Sequence, residues 1–159
     1  MENLWSLKAS EISKLYISNE ISLDEIINSV EERFIQVNPK INAIPESTFE
    51  YARKQAKLLD NNKKNDKPLG CLAGVPVTVK INTDQIGFAS TNGLRLNKSL
   101  IAHKNSTVVD NLEKAGALII GRTNTPAFSI RWFTNNSVHG HTFNPHNRKI
   151  TPGGSSGGA

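Results

Sequence analysis

Two widely separated features of the sequence carry groups that could move protons. The chain ends in a glycine-rich run, residues 153–158, with Ser155 and Ser156 at its centre. Glycine lets a backbone turn tightly, and hydroxyls held in such a turn can donate and accept hydrogen bonds. Far upstream, the apolar residues 75–79 end in Lys80, and a lysine amine shielded from water can act as a base. The simpler interpretations are a flexible Gly/Ser tail and a lysine that reaches into solvent from a sheet edge.

The residues around and after Lys80 predict alternating strands and helices. Residues 75–79 are nearly all apolar, which predicts a strand buried on both faces. Residues 106–110 open a helix, and Gly116 is suited to end it in the left-handed conformation. Residues 117–120 predict the next strand. A strand, a helix and a second strand in this order imply a parallel pair with a right-handed crossover.

Residues 1–60 predict three helices. The first covers residues 10–17, and the second begins at a capping box formed by Ser22 and Glu25. The Asn-Pro pair that includes Pro39 is predicted to end the second helix. A third helix has a single apolar stripe, made of Phe49, Ala52, Ala56 and Leu59. The polar residues 60–67 then predict a loop before the strands.

Four blocks of the sequence, taken in order, resemble those of the amidase signature family. They are residues 69–80, 115–126, 140–147 and 151–158. The resemblance implies an α/β fold, the N-terminal portion of the amidase signature fold, in which helices are followed by the first strands of a mixed sheet. It also implies that residues 1–159 form a single incomplete domain. Within that domain, residues 1–60 would be the helical part, and residues 68–159 would begin the α/β catalytic core.

The resemblance also implies roles for residues in these blocks. Lys80 would be the base of a Ser-Ser-Lys triad, and Ser155 would be the bridging hydroxyl, preceded by a cis peptide. The family's nucleophilic serine belongs to a further Gly/Ser-rich motif that this numbering would place beyond Ala159. Residues 1–159 are therefore expected to be inactive alone. Weaker candidates for substrate contact are Asn135 and Ser156.

Three functions are consistent with this resemblance. The first is a free-standing amidase, which would hydrolyse a small-molecule carboxylic amide through an acyl-serine intermediate, with no metal or organic cofactor. The second is the amidase subunit of a tRNA-dependent amidotransferase; that subunit usually has an acidic stretch where this chain has residues 125–132, so we favour the first. The third is an inactive truncated product, or a half that needs a second chain with the C-terminal part. One departure from the family pattern is Ile81, where an aspartate commonly follows the lysine.

Composition points away from several other classes of partner. The net charge is +5, but aspartates interrupt the lysines of residues 54–67 and no aromatic residues alternate with them, so nucleic acid is not expected. No run of about 18 apolar residues predicts a membrane span, and the first residues do not resemble a signal peptide. The histidines at 139, 141 and 146 have no acidic or cysteine partner nearby in sequence, so no metal is expected. The single cysteine, Cys71, is predicted to be buried and fits a cytoplasmic location.

Overall fold

Helices and short strands alternate along the chain, which confirms the α/β class. The computed structural model describes residues 3–159. The helices are α1 (Ala9–Ile17), α2 (Leu23–Ile41), α3 (Phe49–Lys64) and α4 (Thr107–Lys114), with 3₁₀ turns at Leu4–Ser6, Arg95–Asn97 and Ala127–Ser129. The strands are β1 (Glu46–Ser47), β2 (Pro76–Lys80), β3 (Leu118–Thr123), β4 (Asn135–Asn136) and β5 (Gly140–His141). Within residues 3–159, no helix has both the length and the apolar content needed to cross a bilayer.

The chain divides into two compact units, and the first is built mainly from α1, most of α2, and α3. It contains the described residues up to Gln36 together with Thr48–Val77 and Asp110–Ile120. Each helix has one apolar stripe, and burying the stripes against one another forms the core. The four residues of the predicted α3 stripe are all buried there. The other buried core members are Leu4, Ile12, Tyr16, Ile21, Leu23, Ile26, Ile27, Ala73, Leu118 and Ile120.

Helix α2 begins as predicted but ends later. The backbone amide of Ser22 donates to the Glu25 carboxylate at 2.8 Å, and the Glu25 amide donates to Ser22 Oγ at 3.2 Å, which forms the capping box. The prediction that the helix stops at Pro39 is wrong, because α2 runs to Ile41. Pro39 lies in the last turn, where a missing N–H removes only one late helical bond. Asn42, with φ 51°, ends the helix in the left-handed conformation.

Two further predictions for the first unit are corrected. The loop expected over residues 60–67 is helical as far as Lys64, because α3 continues past its apolar stripe. Lys63 and Lys64 lie in the last turn, where positive side chains interact favourably with the helix dipole. Cys71 is exposed rather than buried, because it lies in the turn that precedes β2.

The larger sheet has the strand order β1-β3-β2. Strand β1 is antiparallel to β3, with Glu46 opposite Arg122. The Leu118 amide donates to the carbonyl of Val75 at 2.8 Å, and the Ile81 amide donates to the carbonyl of Thr123 at 3.0 Å. From the first of these bonds to the second, the residue numbers rise along both strands. This is the pattern of a parallel pair, and it agrees with the predicted pairing of β2 and β3. The central strand β3 is buried throughout.

The expected burial of β2 on both faces is wrong. Thr78 is exposed and only Val79 is fully buried. Strand β2 lies at the edge of the three-stranded sheet, so it has a neighbour on one side only. The predicted helix terminator is confirmed, because Gly116 follows α4 with φ +84°.

The second unit is held by hydrogen bonds between residues far apart in sequence. It contains Val37–Ser47, Thr78–Val109 and Gly121–Ala159. The Asn42 side-chain amide donates to the backbone carbonyls of His139 at 2.7 Å and His141 at 3.0 Å. Thr142 Oγ1 donates to the backbone carbonyl of Asn42 at 2.7 Å. Strands β4 and β5 form a separate antiparallel pair within this unit.

Candidate active site

Lys80 and Ser155 meet within the second unit. Lys80 is the last residue of β2, and its Nζ donates to Ser155 Oγ at 2.9 Å and to Ser156 Oγ at 3.2 Å. The contact joins residues 75 positions apart in sequence. The peptide bond between Gly154 and Ser155 is cis. The cis peptide before Ser155 that the resemblance implies is confirmed, and the lysine and the serine lie within hydrogen-bond distance of each other.

The loop that contains Ser155 is fixed by two buried threonines. Thr134 Oγ1 donates to the carbonyl of Gly153 at 3.0 Å and accepts the amide of Gly157 at 3.1 Å, so one hydroxyl joins both sides of the loop. Thr125 Oγ1 donates to the carbonyl of Ser155 at 3.1 Å. Both threonines are completely buried. The serine loop is therefore an ordered part of the second unit and not a flexible tail.

Glycine is required where this loop meets the preceding chain. A Cβ atom at Gly154 would lie 2.8 Å from the backbone nitrogen of Phe133 and 2.9 Å from the carbonyl carbon of Trp132. Both atoms belong to the backbone and cannot rotate away as a flexible side chain could. The glycine of the motif thus allows the loop to pack directly on residues 131–133, which places Ser155 next to Lys80.

The environment of the Lys80 amine makes its deprotonation easier than that of a fully exposed lysine. Partial burial lowers the pKa of Lys80 below its ordinary value. None of the ion pairs formed among residues 3–159 involves Lys80. Ile81, which replaces the aspartate common in the family, is completely buried. A partly buried amine that lacks an ion-pair partner can lose its proton more readily than a surface lysine.

The segment that leaves Lys80 is held by a buried arginine. The guanidinium of Arg122 donates to the backbone carbonyls of Ile81 at 3.0 Å, Thr83 at 3.1 Å and Ala89 at 3.1 Å. It also forms an ion pair with Glu46 at 3.3 Å. Burial lowers the pKa of Arg122 and raises that of Glu46, and the attraction between the two charges opposes both shifts.

The weaker candidates for substrate contact have different environments. Ser156 is exposed and lies beside Ser155, within hydrogen-bond distance of the Lys80 amine. Asn135 is also exposed, in β4 opposite His141. Among the hydrogen bonds of residues 3–159, none joins Asn135 to the lysine and serine. The structure thus brings Ser156 to the site but does not connect Asn135 to it.

Sequence reasoning does not single out the supporting residues. Thr125 falls inside a longer block, and Arg122 carries no signal that distinguishes it from a surface arginine. Within residues 3–159, no three or more histidine, cysteine, aspartate or glutamate side chains come together as a possible metal site. His141 packs instead edge-on against the ring of Phe143, with centroids 4.8 Å apart.

The chain is similar to known proteins over almost all of its length. Residues 25–159 match the model of the protein family described as Amidase. The chain is 43% identical over 156 residues to an indoleacetamide hydrolase of Bradyrhizobium diazoefficiens, a match that covers 98% of this chain and 30% of that protein. It is 39% identical over 157 residues to a glutamyl-tRNA(Gln) amidotransferase subunit of Fusobacterium nucleatum, covering 99% of this chain and 32% of that protein.

A solved structure gives the same result for the fold. The crystal structure of a bacterial aryl acylamidase of the amidase signature enzymes matches with a TM-score of 0.90 and 34% identity, and the match covers 96% of this chain and 32% of that one. The expected fold, the N-terminal portion of the amidase signature fold, is confirmed. The chain spans about a third of the length of the curated relatives it matches. By its sequence and its fold, the chain belongs to the amidase family.

Proposed function

We propose that this chain supplies the proton-transfer part of a site that hydrolyses carboxylic amides. The observation that carries the proposal is the 2.9 Å hydrogen bond between the Lys80 amine and the Ser155 hydroxyl. In the proposed roles, neutral Lys80 accepts the proton of Ser155, while Ser155 accepts the proton of a nucleophilic serine. The resemblance implies that this third serine belongs to a separate Gly/Ser-rich motif of the family.

The proton chain accounts for both halves of the reaction. As the nucleophile attacks the amide carbonyl carbon, its proton passes to Ser155 and the proton of Ser155 passes to Lys80. When the carbon–nitrogen bond breaks, the proton returns through Ser155 to the leaving amine or ammonia, leaving an acyl-serine. Water then attacks the acyl-serine by the same proton path and releases the acid. Every group in this sequence of steps is a side chain, the substrate or water.

The substrate class we propose is a small carboxylic amide. The relatives include an indoleacetamide hydrolase and an acylamidase, and a solved neighbour is an aryl acylamidase. We further propose that residues 1–159 are one incomplete amidase domain, that the remaining part can come from a second chain, and that the protein is cytoplasmic. The single cysteine supports the last point.

The second candidate is a subunit of a tRNA-dependent amidotransferase. It is supported by 39% identity to the Fusobacterium nucleatum amidotransferase subunit. Residues 125–132, which lack the acidic stretch that the amidotransferase subunit usually has, favour the free-standing amidase. The second candidate predicts amide hydrolysis that is coupled to a partner and stimulated by it, whereas the first predicts hydrolysis without one.

A chimera tests the proposed function. Residues 1–159 would replace the matching part of the Bradyrhizobium diazoefficiens indoleacetamide hydrolase, and hydrolysis of indoleacetamide would be measured. We expect activity in the chimera and a loss of about 100-fold or more in Lys80→Met and Ser155→Ala, because each removes a step of general acid–base catalysis. Ser18→Ala is the matched control, since among residues 3–159 its hydroxyl hydrogen-bonds only to the carbonyls of Lys14 and Leu15 and the carboxylate of Glu20, all within five residues of it.

Two results would oppose the assignment. A folded chimera without activity would argue against the proposed function, and undiminished activity in Lys80→Met would argue against the role of the lysine. The unmodified 159-residue chain serves as the blank, and we expect it to show no turnover of indoleacetamide.

A further inference from the structure

One polar side chain in the second unit makes three hydrogen bonds that have not been given a function. Ser129 Oγ lies 2.7 Å from Asn92 Oδ1, 3.0 Å from Asn82 Nδ2 and 2.9 Å from Thr125 Oγ1. These partners come from separate segments of the chain, before and after β3. A half-buried serine that joins three segments is a junction between them and not an isolated surface hydroxyl.

Two of the three hydrogen bonds of Ser129 connect it to the segments that carry Lys80 and Ser155. Asn82 lies two residues after Lys80, at the point where the chain leaves β2. Thr125 uses the same Oγ1 to contact Ser129 and to donate to the backbone carbonyl of Ser155 at 3.1 Å. A path of hydrogen bonds therefore runs from the segment that carries the lysine, through Ser129, to the loop that carries the serine.

The number of available protons determines the direction of each bond. Ser129 has one hydroxyl proton, and the carboxamide oxygen of Asn92 can only accept, so Ser129 donates to Asn92. The Ser129 oxygen accepts from the Asn82 amide, which leaves the Thr125 hydroxyl to donate in the remaining contact. The single proton of Thr125 is then shared between Ser129 Oγ and the Ser155 carbonyl. Thr125 Oγ1 therefore lies within hydrogen-bond distance of both Ser129 Oγ and the Ser155 carbonyl, and contact with both acceptors restricts where this oxygen can lie.

The backbone at this point has an uncommon conformation that places the hydroxyl in the junction. Phe128 has φ 59° and Ser129 has φ 58°, two consecutive residues in the left-handed region that glycine normally occupies. The Phe128 amide donates to the backbone carbonyl of Asn92 at 3.0 Å, and the Ser129 amide donates to that of Pro126 at 3.0 Å. Unfavourable backbone conformations of this kind concentrate at functional sites, where the surrounding structure maintains them.

We propose that Ser129 is a positioning residue, whose hydroxyl holds the serine loop against Lys80 by tying Asn82 and Asn92 to Thr125. This inference deepens the proposed function and rests on it for its catalytic meaning. Ser129 itself does not touch the reacting groups. Its effect passes through Thr125 to the backbone of Ser155.

Two glycine variants of the 159-residue chain separate the hydroxyl from the backbone conformation. Ser129→Gly removes the hydroxyl and allows the left-handed backbone, whereas Phe128→Gly allows the same backbone and keeps the hydroxyl. The readout is the pKa of the Lys80 amine, followed by NMR of ¹⁵N-labelled lysine and identified by the signal that Lys80→Met removes. We expect Ser129→Gly to raise this pKa toward the ordinary value of about 10.4, because a looser serine loop admits water to the amine.

Phe128→Gly is the matched control and should leave the Lys80 pKa unchanged. Equal pKa shifts in the two glycine variants would overturn the proposal, because the backbone and not the hydroxyl would then be responsible. An unchanged pKa in Ser129→Gly would also overturn it. Far-ultraviolet circular dichroism and melting temperature establish that each variant is folded.

A second pair of variants keeps the test decisive if Ser129→Gly does not fold. Thr125→Val removes the hydroxyl between Ser129 and Ser155 with little change in shape, and Thr125→Ser retains it. We expect the pKa of Lys80 to rise in Thr125→Val and to stay unchanged in Thr125→Ser. Where Ser129→Gly does fold, the rise in the Lys80 pKa in the double variant with Thr125→Val should be no larger than the greater of the two single-variant rises, because both substitutions act on one path. Additive shifts of the Lys80 pKa in the double variant would contradict a single path from Ser129 through Thr125 to Ser155.

The outcome is separable from that of the proposed function. The pKa measurement reports on the positions of Lys80 and Ser155 whether or not any amide is hydrolysed. If the chimera is inactive while Ser129→Gly still shifts the Lys80 pKa, the positioning role stands and the amidase proposal fails. If the chimera is active but Ser129→Gly leaves the pKa unchanged, the positioning role alone fails.

Discussion

A single buried hydroxyl closes the loop that presents Ser155. Thr134 Oγ1 bonds to the carbonyl of Gly153 and the amide of Gly157. Thr134→Val keeps the shape of the side chain but leaves both backbone groups without this partner. We expect the free energy of unfolding to fall by about 1–3 kcal/mol, measured by urea denaturation. Thr134→Ser keeps the hydroxyl, so its free energy of unfolding should fall much less. Equal decreases in the two variants would mean that the loop is stabilised by the methyl group of Thr134 and not by its hydroxyl.

His139 gives the second unit a dependence on pH. Its Nε2 lies 3.3 Å from Thr91 Oγ1 and 4.0 Å from a carboxylate oxygen of Glu46. Burial, aided by the positive charges of Lys98 and Arg122, lowers the pKa of His139 below its ordinary value. The unfolded chain therefore binds this proton first as the pH falls. The stability that neutral His139 contributes is present above about pH 6.5 and is lost as the pH falls through the folded-state pKa.

We therefore expect the free energy of unfolding to decrease between about pH 7 and pH 5, with a shallower decrease in His139→Gln. Chemical denaturation at several pH values within this range measures both slopes. His103→Gln is the control, because His103 is exposed. A slope in His139→Gln as steep as that of the unmodified chain would contradict the assignment to His139.

At the scale of elements, a side chain from β3 fixes the chain that leaves β2. Arg122 is completely buried and holds three backbone carbonyls in addition to Glu46. Arg122→Leu removes the guanidinium that pairs with the partly buried carboxylate of Glu46, and we expect a loss of about 3–5 kcal/mol in unfolding free energy. Arg122→Leu combined with Glu46→Gln should recover part of this loss. Thermal and urea unfolding of the single and double variants measure the difference, and no recovery would show that the carbonyl contacts dominate.

The sequence predicted the elements whose signals are local. The capping box at Ser22, the apolar stripe of α3 and the end of α4 at Gly116 each depend on residues within a few positions of one another. The exposed edge of β2 could not be predicted, because its burial depends on which strands lie beside it. The two-residue strands β1, β4 and β5 are too short to show a period, and their pairing is decided by distant partners.

The same distinction applies to the candidate site. Lys80 and Ser155 could be proposed from the sequence because the blocks that contain them resemble the amidase signature family, whereas their residue types alone left a solvent-reaching lysine and a flexible tail open. Thr134, Thr125 and Ser129 could not, because threonine and serine serve many purposes in polar segments and only their three-dimensional neighbours give them a role. The predicted end of α2 at Pro39 was wrong because a proline is tolerated in the last turn of a helix, and the sequence does not show where that turn lies.

At the scale of the whole molecule, residues 128–133 present large apolar side chains to solvent. The exposed fractions are 59% for Phe128, 78% for Ile130, 88% for Trp132 and 41% for Phe133. Clustered apolar residues at a surface promote association. We expect the 159-residue chain to self-associate with rising concentration, and Ile130→Lys combined with Trp132→Ser to reduce this in light scattering. Leu58→Lys, at an exposed position in α3, is the control. An equal reduction of self-association in that variant would show that residues 128–133 are not the surface through which the chain associates.

The bonds made by Asn42 have a consequence for the timing of biosynthesis. They join residues 97, 99 and 100 positions apart. A ribosome adds about 5–20 residues each second, so Asn42 leaves the peptidyl transferase centre roughly 5–20 seconds before its partners exist. Closing so long a stretch of chain is also slow in itself. The second unit can therefore be completed only after Thr142 has been synthesised. Translation that halts after Lys80 and before His139 yields a nascent chain that already carries Lys80 but has neither Ser155 nor the bonds from Asn42.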